Sequence, residues 1–187
     1  EDLENEVRKL GFTTGHSPQS KPIAMMGGLV ATRSIGQFST LYGGIEDMLA
    51  GVETVFPDGT VCNIKPVPRR SAGPDIRHIV LGNEGTTNFI TKVTVKLWKY
   101  YPEYHECMGY VLDDMHEGFS IMREVMVEGY RPSVARLYDA EDGKEHFSHF
   151  APDKCVLLFV TEGPELVSHA NAEGIRKIMR AHPECKQ

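Results

Sequence analysis

The amino-acid sequence predicts an α+β fold in which two units follow one another along the chain. In the first unit, apolar and polar side chains alternate on both sides of a Pro57-Asp58-Gly59 turn, which is typical of a β-hairpin. In the second unit, after residue 103, the patterns follow the order strand, helix, strand, strand, helix. Such a run builds a sheet with helices packed on one face.

The composition predicts a globular protein and disfavours several classes of partner. Hydrophobic residues make up 41% of the 187 residues and charged residues 25%, so burial can offset chain entropy. A net charge of −6, with no run of lysine or arginine, argues against a nucleic-acid or anionic-membrane partner. No membrane span is predicted, and the acidic start, Glu1 to Glu6, does not match a secretory signal. We therefore expect a cytoplasmic protein.

Local patterns predict the elements of the first unit in order. Leucine and valine at helical spacing predict a helix over residues 2–10. Residues 11–44 are rich in glycine, serine and threonine, which favours a long and functional loop. The hairpin follows at 47–64, a short helix with proline in its first turn at 74–81, and an alternating, half-buried strand at 90–98.

The second unit is predicted to contain three strands and two helices. Asp114 begins the first helix with a capping box, and Gly129 ends it. Four apolar side chains of this helix are expected to face inward: Phe119, Met122, Val125 and Met126. The strands are expected at 108–112, 133–138 and 155–161, and the second helix at 164–182. Because helical patterns stand at both ends of the sequence, the chain is predicted to be a fragment.

No metal site is predicted. The four cysteines form no Cys-x-x-Cys pair and have no histidine nearby at zinc-ligand spacing, so they are interpreted as free thiols. His146 and His149 could share a helical face with Asp142 and Glu145 nearby, but no apolar periodicity fixes a helix there. Buried or incidental roles therefore explain these residues better than a bound metal.

Glycine-rich clusters in the first unit are the remaining candidates for a binding site. The sequence has no Walker loop, no Gly-x-Gly-x-x-Gly turn and no Gly-x-Ser-x-Gly elbow. Glycines do allow a close ligand approach in the segment from Gly15 to Ser34, at Gly73-Pro74-Asp75 and at Glu84-Gly85-Thr86. Each cluster taken alone is more typical of a turn than of a binding site.

The order and spacing of these clusters resemble a known family. Gly-His-x-Pro-x-Ser begins at residue 15, Gly-Gly-x-x-x-Thr-Arg at 27, Tyr-Gly-x-Ile-Glu-Asp at 42, Gly-Pro-Asp-Ile at 73 and Gly-x-Glu-Gly-Thr at 82. This succession resembles the PCMH-type FAD-binding domain of the vanillyl-alcohol oxidase superfamily. Within it, the Thr-Arg pair and the Gly-Pro-Asp-Ile run are most similar to the alkylglycerone-phosphate synthase branch and to its uncharacterised bacterial FAD-linked oxidoreductases.

The resemblance implies that FAD binds in a groove shared by two subdomains. The first subdomain would precede Glu1, residues 1–101 would form the second, and residues 103–187 would open a truncated cap domain over the flavin. The implied cofactor-binding residues are Pro18, Gln19, Ser20, Met25, Gly27, Gly28, Thr32, Arg33, Ser34, Glu84, Gly85, Thr86 and Ile90. Two positions depart from the family pattern: Met25 stands where threonine is usual, and Thr87-Asn88 where Leu-Gly is usual.

Arg136 matches a cap-domain arginine that the family places near the flavin, and it is the implied catalytic residue. Its guanidinium could stabilise negative charge on the flavin ring or pair with a substrate carboxylate or phosphate. The alternative is a structural ion pair with Asp139 or Asp142. The family's general base is expected beyond Gln187.

Three functions follow from the resemblance. The first is an FAD-dependent oxidoreductase that passes a hydride from a small hydroxylated substrate, a 2-hydroxy acid or alcohol, to FAD. The second is a synthase-like transferase that exchanges an acyl for an alkyl group with FAD and no net redox change. The third is an inactive structural fragment that lacks half of the cofactor site. A small-molecule substrate is implied in the first two, and a homodimer is left open.

Overall fold

The first unit, Glu1–Tyr100, is built on a three-stranded antiparallel sheet in the order β3-β2-β4. The computed structural model describes residues 1–67, 71–182 and 185. The elements of this unit are α1 (Asp2–Lys9), β1 (Phe12–Thr13), α2 (Met26–Ala31), α3 (Ser39–Tyr42), α4 (Ile45–Met48), β2 (Leu49–Val55), β3 (Val61–Ile64), α5 (Arg77–Val80), β4 (Phe89–Val95) and β5 (Trp98–Lys99). β1 and β5 pair separately as two antiparallel strands.

The predicted hairpin is confirmed, and its first strand is the centre of the sheet. β2 pairs with β3 on one side and with β4 on the other. The turn closes where the Gly59 amide donates to the Phe56 carbonyl at 2.9 Å, with Gly59 at φ 84°. The Asp58 carboxylate accepts from the Thr60 amide at 2.9 Å. Because β2 is flanked on both edges, most of its residues are buried.

The prediction of a continuous loop over residues 11–44 is wrong. This stretch contains β1, α2 and α3, and α4 follows directly. Val30 and Ile45 are fully buried and join Met48 in the core of the unit. α2 buries only Val30, α3 buries no residue, and α4 buries Ile45 and Met48, so no extended periodic pattern marks these helices in the sequence. The predicted helix at 74–81 is confirmed only over its second half, as α5.

The second unit, from Tyr101 onwards, contains an antiparallel sheet in the order β6-β8-β7. Its elements are a 3₁₀ helix (Pro102–Tyr104), β6 (Glu106–Leu112), α6 (Met115–Val127), β7 (Val134–Tyr138), α7 (Ala140–Phe147), β8 (Cys155–Thr161) and α8 (Glu165–Arg180). The core lies between one sheet face and the helices α6 and α8, and includes Tyr110, Leu157, Phe159 and Ile175. The predicted α+β class is confirmed in both units.

The inward face of α6 differs from the prediction. Val125 is buried as expected, together with Ile121 one turn earlier. Phe119 and Met126 were expected inside, but their exposed fractions are 57% and 36%. The buried residues of α6 are 118, 121 and 125. The helix packs on the core through Gly118, where the space is so small that a Cβ would collide with Leu137.

Helix α7 was not predicted, and it places a helix on the second face of the sheet. The Asp139 carboxylate begins it by accepting from the Asp142 amide at 2.8 Å. Tyr138 contacts Phe147 of α7 with ring centroids 5.1 Å apart. Since neighbouring strand residues face opposite sides, Tyr138 and the core residue Leu137 lie on different faces. The prediction of helices on one face alone is therefore wrong.

Candidate functional site

The segment 15–20 runs tightly against neighbouring backbone. A Cβ on Gly36 would lie 2.6 Å from the Ser17 amide nitrogen. Gly15 has φ 65°, and a side chain there would collide with the ring of Tyr42. Glycine is therefore required at both positions for the segment to take this path.

A buried carboxylate anchors the start of this segment. Glu4 of α1 accepts hydrogen bonds from the Thr13 hydroxyl at 2.7 Å, the Thr14 hydroxyl at 2.6 Å and the Thr14 amide at 3.0 Å. The Arg8 guanidinium adds a fourth bond at 2.7 Å. Burial raises the pKa of Glu4, but the bonds from Thr14, Arg8 and Thr13 outweigh burial and lower it from 4.5 to about 2. The ionised carboxylate thus ties α1 to the loop.

The predicted residues Pro18, Gln19 and Ser20 form a turn that leads into α2. The Lys21 amide donates to the Pro18 carbonyl at 3.0 Å, and the Ala24 amide donates to the Ser20 carbonyl at 2.9 Å. Pro18 is buried, whereas Gln19 and Ser20 are exposed. The polar side chains of the turn are therefore free to meet a ligand.

Helix α2 presents two glycines in different surroundings. A Cβ on Gly27 would lie 3.5 Å from the Ile90 carbonyl oxygen, so α2 packs directly on β4. A Cβ on Gly28 would meet nothing within 4 Å. Met25, just before the helix, is 80% exposed. The predicted residues Met25, Gly27, Gly28 and Ile90 thus lie together, with open space beside Gly28.

The turn Thr32-Arg33-Ser34 follows α2. The Thr32 hydroxyl donates to the Gly28 carbonyl at 3.0 Å. Arg33 takes the left-handed conformation, with φ 53°, and its Nε lies 3.6 Å from Glu46 Oε1. The Ser34 carbonyl accepts a hydrogen bond from the amide of the core residue Ile45 at 3.2 Å. The exposed side chains of Thr32 and Arg33 remain at the surface.

The turn Glu84-Gly85-Thr86 is hydrogen-bonded to the end of α2. The Gly82 amide donates to the Val30 carbonyl at 3.1 Å, and the Glu84 amide donates to the Ala31 carbonyl at 3.0 Å. Asn83 shapes the turn by accepting from the Gly85 amide at 2.6 Å. These bonds bring the two predicted clusters, 25–34 and 84–90, onto one surface although about fifty residues separate them.

Asn88, at a position where the resemblance implies glycine, points into the fold. It is buried, and its Oδ1 accepts from the Thr54 hydroxyl at 2.6 Å and from Asn83 Nδ2 at 3.0 Å. Its side chain therefore braces the turn from below and does not occupy the ligand side.

The Gly73-Pro74-Asp75 cluster has a structural explanation. Asp75 forms an ion pair with Arg77 at 2.5 Å, and Arg77 donates to the Leu49 carbonyl of β2 at 2.7 Å. The hydrogen bond from Arg77 lowers the pKa of Asp75 to about 2. This cluster therefore fastens α5 to the sheet.

A cavity of about 260 Å³ lies beneath α1, and its lining includes Pro18 and Met25. It also includes His16, which the set of predicted site residues omits. His16 is 6% exposed, and neither ring nitrogen has a hydrogen-bond partner within the described residues. Burial lowers the pKa of His16, and the nearby Glu46 carboxylate opposes this only in part. In the sequence, His16 could have been singled out only by its place in the Gly15-His16 pair of the first glycine-rich cluster.

Arg136 lies on β7 in the second unit and is half-buried. Its guanidinium stacks on the Tyr138 ring at 4.8 Å from the centroid. Across residues 1–67, 71–182 and 185, no acidic side chain forms an ion pair with it. The expected alternative, a pair with Asp139 or Asp142, is not formed.

One group of potential metal ligands lies on α7. Asp142, Glu145 and His146 have ligand atoms within 4.8 Å of one another, and all three are exposed. His149 does not belong to the group. Exposed acidic residues at helical spacing are common without a metal, so this group adds no chemistry to the site.

Comparison with known proteins relates the chain to FAD-binding proteins. Residues 1–65 match a family model described as an FAD binding domain. These residues are therefore similar to that FAD-binding family. Over all 187 residues the chain is 64% identical to the uncharacterised FAD-linked oxidoreductase YgcU of Escherichia coli O157:H7, of which it covers 39%. The FAD prediction and the resemblance to FAD-linked oxidoreductases are confirmed.

The chain is also similar to more distant proteins that carry two other names. It is 37% identical over 139 residues to alkyldihydroxyacetonephosphate synthase of Caenorhabditis elegans, covering 74% of this chain and 23% of that protein. It is 24% identical over 172 residues to a mitochondrial D-lactate dehydrogenase [cytochrome] of Arabidopsis thaliana, covering 86% of this chain and 29% of that protein. A solved alkyldihydroxyacetonephosphate synthase matches with a TM-score of 0.84 at 26% identity, over 98% of this chain and 36% of that one.

The geometry of the first unit fits FAD. Gly28 leaves open space on the surface shared by the two clusters, and the buried ring of His16 has unused hydrogen-bonding capacity in a cavity next to them. Glycine permits the close approach that a dinucleotide requires. Among the described helices, none has the length and apolar character that a bilayer crossing requires.

Proposed function

We propose that this chain supplies one wall of the FAD site in an FAD-dependent oxidoreductase. Residues 1–101 correspond to the second subdomain of the FAD-binding domain, and residues 103–187 to the opening of the cap. The observation that carries this proposal is the pair of backbone hydrogen bonds from Gly82 and Glu84 to the end of α2, at 3.1 and 3.0 Å. These bonds hold the clusters 25–34 and 84–90 on one surface, and the resemblance assigns both clusters to the cofactor.

The residues on this surface have distinct roles in the proposal. Gly28 and Gly85 let FAD approach the protein backbone closely, since no side chain intervenes. Gly27, whose missing side chain faces Ile90, is proposed to contact FAD through its own backbone. Ser34 offers a hydroxyl donor and Arg33 a guanidinium to the phosphates. The Thr32 and Thr86 hydroxyls donate to the Gly28 and Asn83 carbonyls, so towards the cofactor they act as acceptors. The remaining proposed cofactor contacts are Pro18, Gln19, Ser20, Met25, Glu84 and Ile90.

Arg136 is the proposed catalytic residue of the cap. FAD, when bound, supplies a two-electron acceptor for a hydride from the carbon that bears the substrate hydroxyl. Arg136 has no acidic partner within the described residues, so its guanidinium can bind a substrate carboxylate or stabilise negative charge near the flavin. The substrate proposed is therefore a small 2-hydroxy acid or alcohol.

Anaerobic flavin reduction tests the oxidoreductase proposal in an FAD-loaded protein of the relatives' length that carries this chain. A panel of 2-hydroxy acids and alcohols should include one that bleaches the flavin absorbance. If none bleaches it and an acyl chain is instead exchanged for an alcohol, the second candidate applies. That candidate, a transferase without net redox change, is favoured by the synthase relatives.

The isolated chain is expected to bind FAD weakly or not at all, and to be inactive. One wall offers only part of the contacts, while the cost of immobilising the ligand is still incurred. Titration of the purified chain with FAD, followed by flavin fluorescence, measures this directly, and tight binding would contradict the split site. A cytoplasmic location and a homodimer stay predictions.

A further inference from the structure

His16 stands out because the carboxylate that anchors its segment is fully hydrogen-bonded, whereas its own ring is not. The neighbouring Glu4 carboxylate has four donors, and the His16 amide itself donates to the Thr14 hydroxyl at 3.3 Å. Its two ring nitrogens are nevertheless buried and have no partner within the described residues. Buried polar groups of folded proteins are nearly always paired, so an unpaired imidazole that lines a cavity indicates a ligand contact.

The lining of the cavity beneath α1 has a polar and an apolar part. Glu4, Thr14 and His16 form the polar part and are linked to one another by hydrogen bonds. The apolar part belongs to the core of the first unit and consists of Leu29, Ile45, Met48 and Val95. A ligand that enters must therefore combine an apolar body with one polar edge.

The charges of the lining select a neutral group. Glu1, Asp2 and Glu4 contribute three carboxylates, and Lys21 contributes one side-chain cation. A phosphate would be repelled by this acidic lining. With a volume of about 260 Å³, the cavity is too small for the whole cofactor but suits one ring system.

The isoalloxazine ring of FAD matches these requirements better than adenine does. One end of isoalloxazine is an apolar dimethylbenzene, and the other alternates carbonyl acceptors with an N–H donor. Adenine carries polar nitrogens around most of its edge. Met25 and Met26 also line the cavity, and methionine sulfur contacts aromatic rings favourably.

We propose that His16 is a further cofactor-binding residue, whose ring forms a hydrogen bond with the polar edge of the isoalloxazine in the cavity beneath α1. The inference rests on the proposed FAD function and extends it to a residue outside the predicted set. Glu4 is the positioning residue, because it holds Thr14, which in turn holds the His16 backbone. The neutral ring has one donor and one acceptor nitrogen and can pair with either a carbonyl or the N–H of the flavin.

Nitrogen-15 NMR of the histidine rings tests the contact on the 187-residue chain, even when binding is weak. FMN and AMP are matched probes, since each carries one phosphate and they differ in the ring. FMN should shift the His16 ring nitrogens saturably, whereas AMP should leave them unchanged. Shifts of Gly28 and Thr32 amides with either probe, but none at His16, would overturn the inference and leave the FAD site intact. No shift anywhere at millimolar FMN would overturn the inference about His16, whereas the split FAD site, which allows no binding by the isolated chain, would still stand.

A substitution separates a ligand contact from a structural role. His16→Leu removes both unpaired nitrogens, so the free chain should melt at the same or a higher temperature. The same variant should bind FMN about tenfold more weakly or worse, because a flavin polar atom then stays unpaired in the cavity. His78→Leu, at an exposed position, is the matched control and should leave FMN affinity unchanged. A lower melting temperature with unchanged FMN affinity would show that His16 is structural.

Discussion

Replacing Glu4 with glutamine removes the charge that ties α1 to the segment leading to His16. The ionised carboxylate accepts four hydrogen bonds in the fold, and its pKa is lowered from 4.5 to about 2. At about 1.4 kcal/mol for each pH unit, this difference corresponds to about 3 kcal/mol of stability near neutral pH. Because the folded pKa is the lower one, that stability is complete above the unfolded value of 4.5 and is lost as the pH falls towards about 2.

Urea unfolding of the wild type and Glu4→Gln measures the effect, with the single tryptophan, Trp98, as the fluorescent reporter in the first unit. The variant should lose about 3 kcal/mol near neutral pH, and the gap should narrow between about pH 5 and about pH 2. The control is Glu6→Gln on the same helix, where the exposed pair with Lys9 contributes less than about 1 kcal/mol. Equal losses in the two variants, or a gap that does not depend on pH, would refute the reasoning.

Three further substitutions test other parts of the fold and site. Gly15→Ala should lower the unfolding free energy by about 2 kcal/mol or more in the same urea assay, because backbone strain at φ 65° adds to a collision with the Tyr42 ring. The control Gly59→Ala, at φ 84° in open space, should lower it by only about 1 kcal/mol. Thr54→Val should lose about 1 to 2 kcal/mol of unfolding free energy, since the hydroxyl donor to Asn88 Oδ1 disappears from a buried site. Arg136→Met should change the unfolding free energy by less than about 1 kcal/mol, yet slow flavin reduction about a hundredfold in stopped-flow measurements on the loaded protein. A rate of flavin reduction equal to that of the wild type would show that Arg136 is not a catalytic residue.

The parts of the fold that were predicted correctly have long periodic patterns or turn residues that can be recognised in the sequence. The hairpin around Pro57-Asp58-Gly59 and the strand at 155–161 were found because alternation, proline and glycine act locally. The short helices within 11–44 escaped because their formation depends on burying Val30 and Ile45 in a core assembled from distant strands. The orientation of α6 escaped because a packed glycine, Gly118, selects its inward face.

Sequence reasoning predicted only those parts of the site whose glycine and threonine motifs follow one another in a recognisable order along the chain. The clusters 25–34 and 84–90 were recognisable, but the bonds that join them are made by backbone atoms and leave no trace in the sequence. Glu4 was missed because an acidic residue near a helix start is usually exposed, and its burial depends on Thr13 and Thr14. His16 was missed as a site residue because an unpaired ring nitrogen can be seen only in three dimensions.

Amide hydrogen exchange in a protein of the relatives' length that carries this chain, with and without FAD, tests most directly whether the glycine and threonine turns form one cofactor wall. Exchange is expected to slow together in residues 15–34 and 82–90 when FAD is bound, because one ligand covers both segments. Slower exchange in only one of these segments, or only in other parts of the chain, would contradict a shared FAD surface.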